Sequence, residues 1–139
     1  MTALKAVGVS RGYAGVGVLK ELDFELKKGA FEALMGPSGC GKSTFLNLAA
    51  GLIGTDGGSI TVGGEEITAM SDSAAARFRR RHIGFVFQDF NLLEEKSVRE
   101  NILLPIKLDR VKIGEEVILR LDRLVSSLDL KGKLGSMPG

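Results

Sequence analysis

An α/β fold organised around one strand–loop–helix unit is predicted by three features of this 139-residue sequence. The first is the stretch Gly36-Pro37-Ser38-Gly39-Cys40-Gly41-Lys42-Ser43-Thr44, set between an apolar run of strand length, Phe31–Met35, and a helix-forming run, Thr44–Ala50. The second is the alternation of Leu22, Phe24 and Leu26 with Asp23 and Glu25, which marks a half-buried strand over Val18–Leu26. The third lies in Glu115–Leu128, where Val117, Leu121, Leu124 and Leu128 fall at i, i+4, i+7 and i+11 with Ile118 and Val125 beside them. That spacing builds one helix face for burial.

The remaining elements follow in chain order. Leu4–Val9 reads as a short strand and Gly12–Gly17 as a loop holding Tyr13, the only tyrosine. Lys28-Gly29 turns the chain into Phe31–Met35. Beyond the first helix, Gly51–Gly58 is loop, and Ser59–Val62, Gly63-Gly64 and Glu65–Ile67 form a hairpin with a two-residue turn. Ser71 or Asp72 caps a helix running to about Arg80. Its Arg77, Arg79, Arg80 and Arg81 read as a solvated face, the default meaning of such a charge run. Ile83–Phe87 is an apolar strand ending at Gln88. Ser97-Val98-Arg99-Glu100 has the form of a capping box, and Ile102–Leu108 continues as an apolar helix interrupted by Pro105. Lys131-Gly132-Lys133 closes the last helix.

Composition narrows the classes. Hydrophobic residues make up 44% and charged residues 26%, the balance of a soluble globular protein, and no apolar run approaches the ~18 residues of a spanning helix. Nineteen Lys and Arg against 17 Asp and Glu leave a net charge of +2, too small to direct the chain to nucleic acid. One cysteine excludes an internal disulfide, and no apolar leader opens the chain, so a reducing cytoplasm is the expected setting.

The Gly36–Thr44 stretch has the form of a phosphate cradle. Its glycines let successive backbone N–H groups point inward at phosphate oxygens, and the unpaired N–H groups of the following helix add to the pull on an anion. Lys42 would reach the β and γ phosphates, and the Ser43 hydroxyl would take one place on Mg²⁺, a cation that needs few protein ligands. Gly36, Ser38, Gly39, Cys40, Gly41 and Thr44 complete the cradle. A glycine-rich turn that merely ends in Lys-Ser would not require the flanking strand and helix. Cys40 is either a small residue tolerated in the loop or, beside Lys42 and a helix N-terminus, a thiol open to alkylation that bound ATP would protect.

Tyr13, the cradle and the unit Ile83-Gly84-Phe85-Val86-Phe87-Gln88 stand in an order and spacing that resemble the ATP-binding subunit of an ABC transporter. The run Phe87–Leu93, followed by Glu100–Pro105, resembles the branch serving lipoprotein release, macrolide export and antimicrobial-peptide resistance. The likeness covers essentially the whole chain but only the N-terminal part of the family's domain. It implies a P-loop NTPase fold cut before the signature motif: an antiparallel β part, the cradle strand and helix, the Gln88 strand, and the start of a helical subdomain. Residues 1–88 would form the β part and cradle core, and residues 89–139 the helical start.

The resemblance also implies roles. Tyr13 matches the aromatic that stacks on adenine, with Val18 lining the same pocket. Gln88 matches the residue that completes the Mg²⁺ shell and senses the γ phosphate, and the stretch through Leu104 matches the face that receives a transmembrane permease. ATP and Mg²⁺ are the implied cofactors. The implied partners are that permease and a second ATP-binding subunit docked head to tail, placing the chain on the inner face of the cell membrane.

Two departures qualify this reading. Glu32 stands where the family favours an apolar residue; inside a central strand it would need a partner, or the strand would not be fully buried. The 139 residues also contain no LSGGQ-type signature, no Walker B strand with its catalytic Glu and no switch His. This chain is therefore expected to bind nucleotide without turnover and to contain no catalytic residue. The strands expected to lie between the cradle strand and the Gln88 strand are missing too, so marginal stability is anticipated. A non-hydrolysing regulatory module and a soluble ABC ATPase acting on nucleic acid remain as alternatives; a small-molecule kinase would leave Tyr13 and Gln88 unexplained.

Overall fold

The computed structural model describes residues 1–138 and divides into two compact units, Met1–Phe85 and Val86–Gly139. The first is built on an antiparallel sheet in the order β2-β1-β3-β4, formed by β1 (Thr2–Tyr13), β2 (Val16–Lys27), β3 (Gly57–Val62) and β4 (Glu65–Glu66). One face carries Ala6, Val9 and Ile60, all essentially inaccessible to solvent. Two helices and Ile67, just after β4, supply the remaining core: α1 (Lys42–Ala49) through Phe45 and Leu48, and α2 (Asp72–His82) through Phe78. Phe45 also meets Phe24 of β2 edge to face at 5.1 Å. Ser71 is the N-cap of α2, accepting from the Ala74 N–H, and the basic residues of its last turn sit at the negative end of the helix dipole. Arg79 donates to the Gly51 carbonyl just beyond α1.

The β1–β2 ribbon is longer than its sequence indicates. The Gly12–Gly17 stretch is mostly strand: Gly12 pairs with Gly17 and Tyr13 with Val16, leaving only Ala14-Gly15 as the turn. Alternation of side chains is masked there because glycines stand at three of the six positions. The hairpin turning at Gly63-Gly64 forms as expected.

Two expected strands are absent from the described residues. Phe31–Met35 and Ile83–Phe87 join no ladder, and Phe31, Met35 and Val86 are 91%, 89% and 96% exposed. A strand exists only within a hydrogen-bonded ladder, and neither run belongs to the four-stranded sheet β2-β1-β3-β4. Glu32 is exposed, so the unburied alternative is the one realised and no buried carboxylate needs a partner.

The second unit packs α3 (Val98–Leu108) on α4 (Glu115–Ser127), with Leu103, Leu121 and Val125 buried and the 3₁₀ turn Lys131–Lys133 following. Pro105 does not interrupt α3 as anticipated. It removes one hydrogen-bond donor, but the helix runs through it while Leu103 stays packed on α4. The buried stripe of α4 is also narrower than its heptad-like spacing suggested. Leu124 and Leu128 are exposed; Leu124 lies about 60–100° around the helix from Leu121 and Val125, while Leu128 is already the C-cap.

Candidate functional site

The cradle is positioned by the core and by β2. On its C-terminal side, Phe45 and Leu48 fix the first turns of α1 in the core. Just ahead of α1, at Gly41, the loop bears against β2. The register of the ribbon steps between Arg11↔Leu19 and Gly12↔Gly17, so Val18 is an extra residue, a bulge. The bulge brings Val18 and Leu19 together against buried Gly41. A Cβ on Gly41 would stand 2.9 Å from Leu19 Cδ2 and 3.2 Å from Val18 Cγ1, and its φ of 97° is one that side chains resist. Gly36 is similarly confined, since a Cβ there would meet Cys40 Sγ at 2.9 Å. Val18, expected to line a base pocket, also lies against Gly41 of the cradle.

No side chain caps α1, no acidic residue lies in its first turn, and its first intrahelical bond runs from the Phe45 N–H to the Gly41 carbonyl. The N–H groups of Lys42, Ser43 and Thr44 precede that bond and have no carbonyl within the helix to meet. Lys42 folds back over the loop and donates to the carbonyls of Gly36 at 2.8 Å and Pro37 at 2.7 Å, with Cys40 Sγ at 3.5 Å. An ammonium group therefore sits above the loop, held only by neutral acceptors. Ser38, Gly39, Cys40 and Ser43 are exposed and Thr44 is half-buried. A cavity of about 370 Å³ runs from Cys40, Gly41 and Lys42 along Leu34, Met35 and β2 residues Leu19, Leu22 and Phe24.

Tyr13 stands at the end of β1, 47% exposed, beside the hairpin turn. The Arg11 guanidinium lies 5.1 Å from its ring centroid. Arg11 is in turn held by Asp56, whose Oδ1 accepts from Arg11 Nη1 at 2.8 Å while Oδ2 accepts from the Gly12 N–H at 2.7 Å. Sequence reading missed both residues: Asp56 is 45 positions from Arg11, and no local pattern links them.

In the other unit, Gln88 is exposed at a turn. The segment after it is tied to α3 by Asn101. Its Oδ1 accepts from the Leu93 N–H at 2.8 Å, and its Nδ2 donates to the carbonyls of Leu93, Lys96 and Ser97 at 3.0, 3.0 and 3.1 Å. The capping box forms as expected: the Ser97 hydroxyl accepts from the Glu100 N–H, and the Glu100 carboxylate accepts from the Ser97 N–H at 3.0 Å. The bond from the Ser97 backbone N–H foremost, and then one that the Ser97 hydroxyl donates to the same carboxylate oxygen at 3.0 Å, hold the Glu100 carboxyl below its usual range. Among the described residues no cluster of His, Cys, Asp or Glu is arranged to hold a metal, and no helix is long and apolar enough to cross a membrane.

The profile of the ABC transporter family matches residues 19–137. The chain is 44% identical over 122 residues to the ABC transporter ATP-binding protein YvcR of Bacillus subtilis, covering 88% of this chain and 47% of that one. It is 34% identical to the bacitracin export ATP-binding protein BceA of Halalkalibacterium halodurans, over 96% of this chain and 55% of the relative. It is 41% identical to the lipoprotein-releasing system ATP-binding protein LolD of Cytophaga hutchinsonii, over 81% and 51%. This chain thus spans about half the length of these curated relatives. Its fold superposes with a TM-score of 0.85 and 30% identity on the ATP-binding cassette MJ0796, solved as a dimer in a post-hydrolysis state bound to ADP and Pi. The match covers 97% of this chain and 61% of the cassette. With the α/β architecture of an ATP-binding cassette and a profile match over most of its length, the chain belongs to the ABC transporter family.

Proposed function

We propose that this chain is the nucleotide-binding portion of an ABC transporter's ATP-binding subunit, with the triphosphate of ATP held at Gly36–Thr44. The observation that carries this reading is the Lys42 ammonium poised over the loop on two neutral carbonyls, beside an uncapped helix N-terminus. Phosphate oxygens are charged acceptors, and bonds to them are roughly twice as strong as the neutral ones Lys42 makes here. Lys42 would exchange its carbonyls for the β and γ phosphates, and the N–H groups of Gly39 to Thr44 would surround the remaining oxygens. The exposed Ser43 hydroxyl suits a cation that takes one or two protein oxygens and completes its shell with phosphate and water. Mg²⁺, held by Ser43 with Gln88 as a further ligand and γ-phosphate sensor, would neutralise charge on the β and γ phosphates. Tyr13 would stack on adenine, and Val18 would line the same pocket while packing on Gly41.

In the complete subunit, ATP binding and hydrolysis would be coupled to transport through a separate permease that meets the Gln88–Leu104 stretch. A second ATP-binding subunit would complete the composite site, and the subunit would lie on the cytoplasmic face of the membrane. The division of labour follows at about residue 88, with the nucleotide parts before it and the start of the helical subdomain after it. The cradle alone would bind and not turn over.

Calorimetric titration with Mg-ATP tests the reading. Binding should be measurable in the native sequence and at least about tenfold weaker in Lys42→Ala, the size expected when one charge-assisted phosphate contact is lost. Unchanged affinity in that variant would remove the cradle from the account. Mg-dependent hydrolysis by this chain, abolished by Lys42→Ala, would overturn the assignment of binding without turnover.

A further inference from the structure

The end of β1 has a structural difficulty that Asp56 resolves. The β1–β3 ladder stops at Ser10↔Gly57, so Arg11, Gly12 and Tyr13 continue as a ribbon paired only with β2. Two-stranded ribbons are marginal in water, and a half-exposed tyrosine at the tip of one is free to sample several rotamers. Asp56, the residue before β3, stands where the third strand would have continued. Its own N–H donates to the Ser10 carbonyl at 2.9 Å, and its carboxylate accepts from the Gly12 N–H and from Arg11 Nη1. Three consecutive residues of β1 leading to Tyr13 are thereby tied to the centre of the sheet. Arg11 Nε is buried and has no partner, so the guanidinium is located by Asp56 and by the Tyr13 ring.

We propose that Asp56 is a positioning residue for nucleobase recognition: it fixes Arg11 against Tyr13, so that the ring is held ready to receive a base. Arg11 contributes by limiting the rotation of Tyr13 and by setting a positive charge beside the ring. Asp56 makes no contact with the nucleotide. This inference rests on the reading that Tyr13 stacks on adenine, and it assigns the selectivity between a nucleotide and a bare polyphosphate to a side chain 43 positions away from that tyrosine.

The experiment compares two probes, Mg-ATP and Mg-tripolyphosphate, on the native chain and on Asp56→Ala, Asp56→Asn and Arg11→Gln. Tyr13 is the only tyrosine and the chain has no tryptophan, so intrinsic fluorescence reports on that ring alone. The variants should weaken ATP binding by about three- to tenfold, the scale of ordering one or two side chains, and leave tripolyphosphate affinity within about twofold. ATP-dependent change in Tyr13 fluorescence should shrink in parallel, and Asp56→Glu should restore part of the ATP preference.

Equal losses for both probes would overturn the proposal by showing that Asp56 acts through the fold. Unchanged affinities for both would overturn it as well. If the native chain binds tripolyphosphate as tightly as ATP, with no change in Tyr13 fluorescence, base stacking fails and this inference fails with it, while the phosphate cradle stands. If the native chain binds neither probe, the nucleotide reading itself falls. The conservative Asp56→Asn change keeps the shape of the side chain, so the test does not depend on the alanine variant folding.

Discussion

The cradle and the segment after Gln88 are both loops leading towards a helix, yet opposite forces hold them. The cradle is fixed by volume: Gly41 is wedged against Val18 and Leu19, and the turn beyond it is sunk into the core through Phe45. The Gln88 segment is fixed by polarity. Its residues are exposed, Phe90 and Asn91 adopt positive φ, and the amide of Asn101 gathers the backbone of Leu93, Lys96 and Ser97. A packed loop has one geometry and should yield only to mutations that change its volume or break its core. A loop held by one amide should accept most surface changes and yield to a single polar deletion.

The largest effect should come from the core beneath the cradle. Phe45→Ala removes a buried ring that packs on Phe24 and should cost about 3–5 kcal/mol. That is comparable to the whole stability of a small domain, so urea denaturation should show the unit opening near zero denaturant and nucleotide binding lost with it. A cost below about 1 kcal/mol would mean that α1 is not anchored through Phe45. Gly41→Ala should come next, at about 1–3 kcal/mol, because the new Cβ meets Leu19 and the backbone φ is unfavourable for alanine. Its distinctive readout is Mg-ATP affinity, which should fall further than that of a Gly39→Ala control, where a Cβ meets nothing within 4 Å. Equal losses would mean that backbone strain alone matters and that the wedge against β2 does not.

The same contrast explains what the sequence revealed. The cradle is nine consecutive residues, and each part of its chemistry is local, so spacing sufficed to find it. The capping box at Ser97 and Glu100 was legible for the same reason. What escaped was non-local or dependent on neighbours. Asp56 works across 45 residues, and Asn101 was visible only as part of a family-like run, with nothing to indicate that its amide closes a loop. The Phe31–Met35 and Ile83–Phe87 runs have the composition of buried strands, yet Phe31, Met35 and Val86 stand exposed. Whether a strand forms depends on a ladder partner, which a run of side chains does not encode.

The polar loop can be broken without touching the core. Asn101→Ala should cost about 1–3 kcal/mol, the scale of leaving buried or half-buried hydrogen-bonding groups unpaired. Hydrogen exchange gives the sharper measurement, because the Leu93 N–H, bonded to Asn101 Oδ1, should lose protection while amides inside α4 keep theirs. Asn101→Asp should preserve part of the Leu93 protection, since an acceptor remains, while losing the three bonds that the amide donates. Uniform loss of protection across α3 and α4 would show that Asn101 supports the whole unit instead of its loop.

The smallest effect, and the most specific test of polar control, is the response of the α3 cap to acid. The Glu100 carboxyl titrates below its usual range because the Ser97 backbone N–H and then the Ser97 hydroxyl bond its charged form. A depressed folded-state value means that the stabilisation is fully present above the ordinary glutamate range and is lost as pH falls through the lowered value. Carboxyl chemical shifts should therefore place the Glu100 midpoint below the ordinary glutamate range. Ser97→Ala should move it part of the way back and remove about 1 kcal/mol of cap stability. The movement should be incomplete, because the larger cause is a backbone N–H that alanine also has. Protection of the first-turn amides of α3, taken relative to their intrinsic exchange rates, should fall on acidification in the native chain, and Glu100→Gln should flatten that dependence. An unchanged acid response in Glu100→Gln would mean that the bonds from the Val98 and Arg99 N–H groups to the carbonyls of Ser136 and Leu134 hold this end of α3, with the capping box secondary.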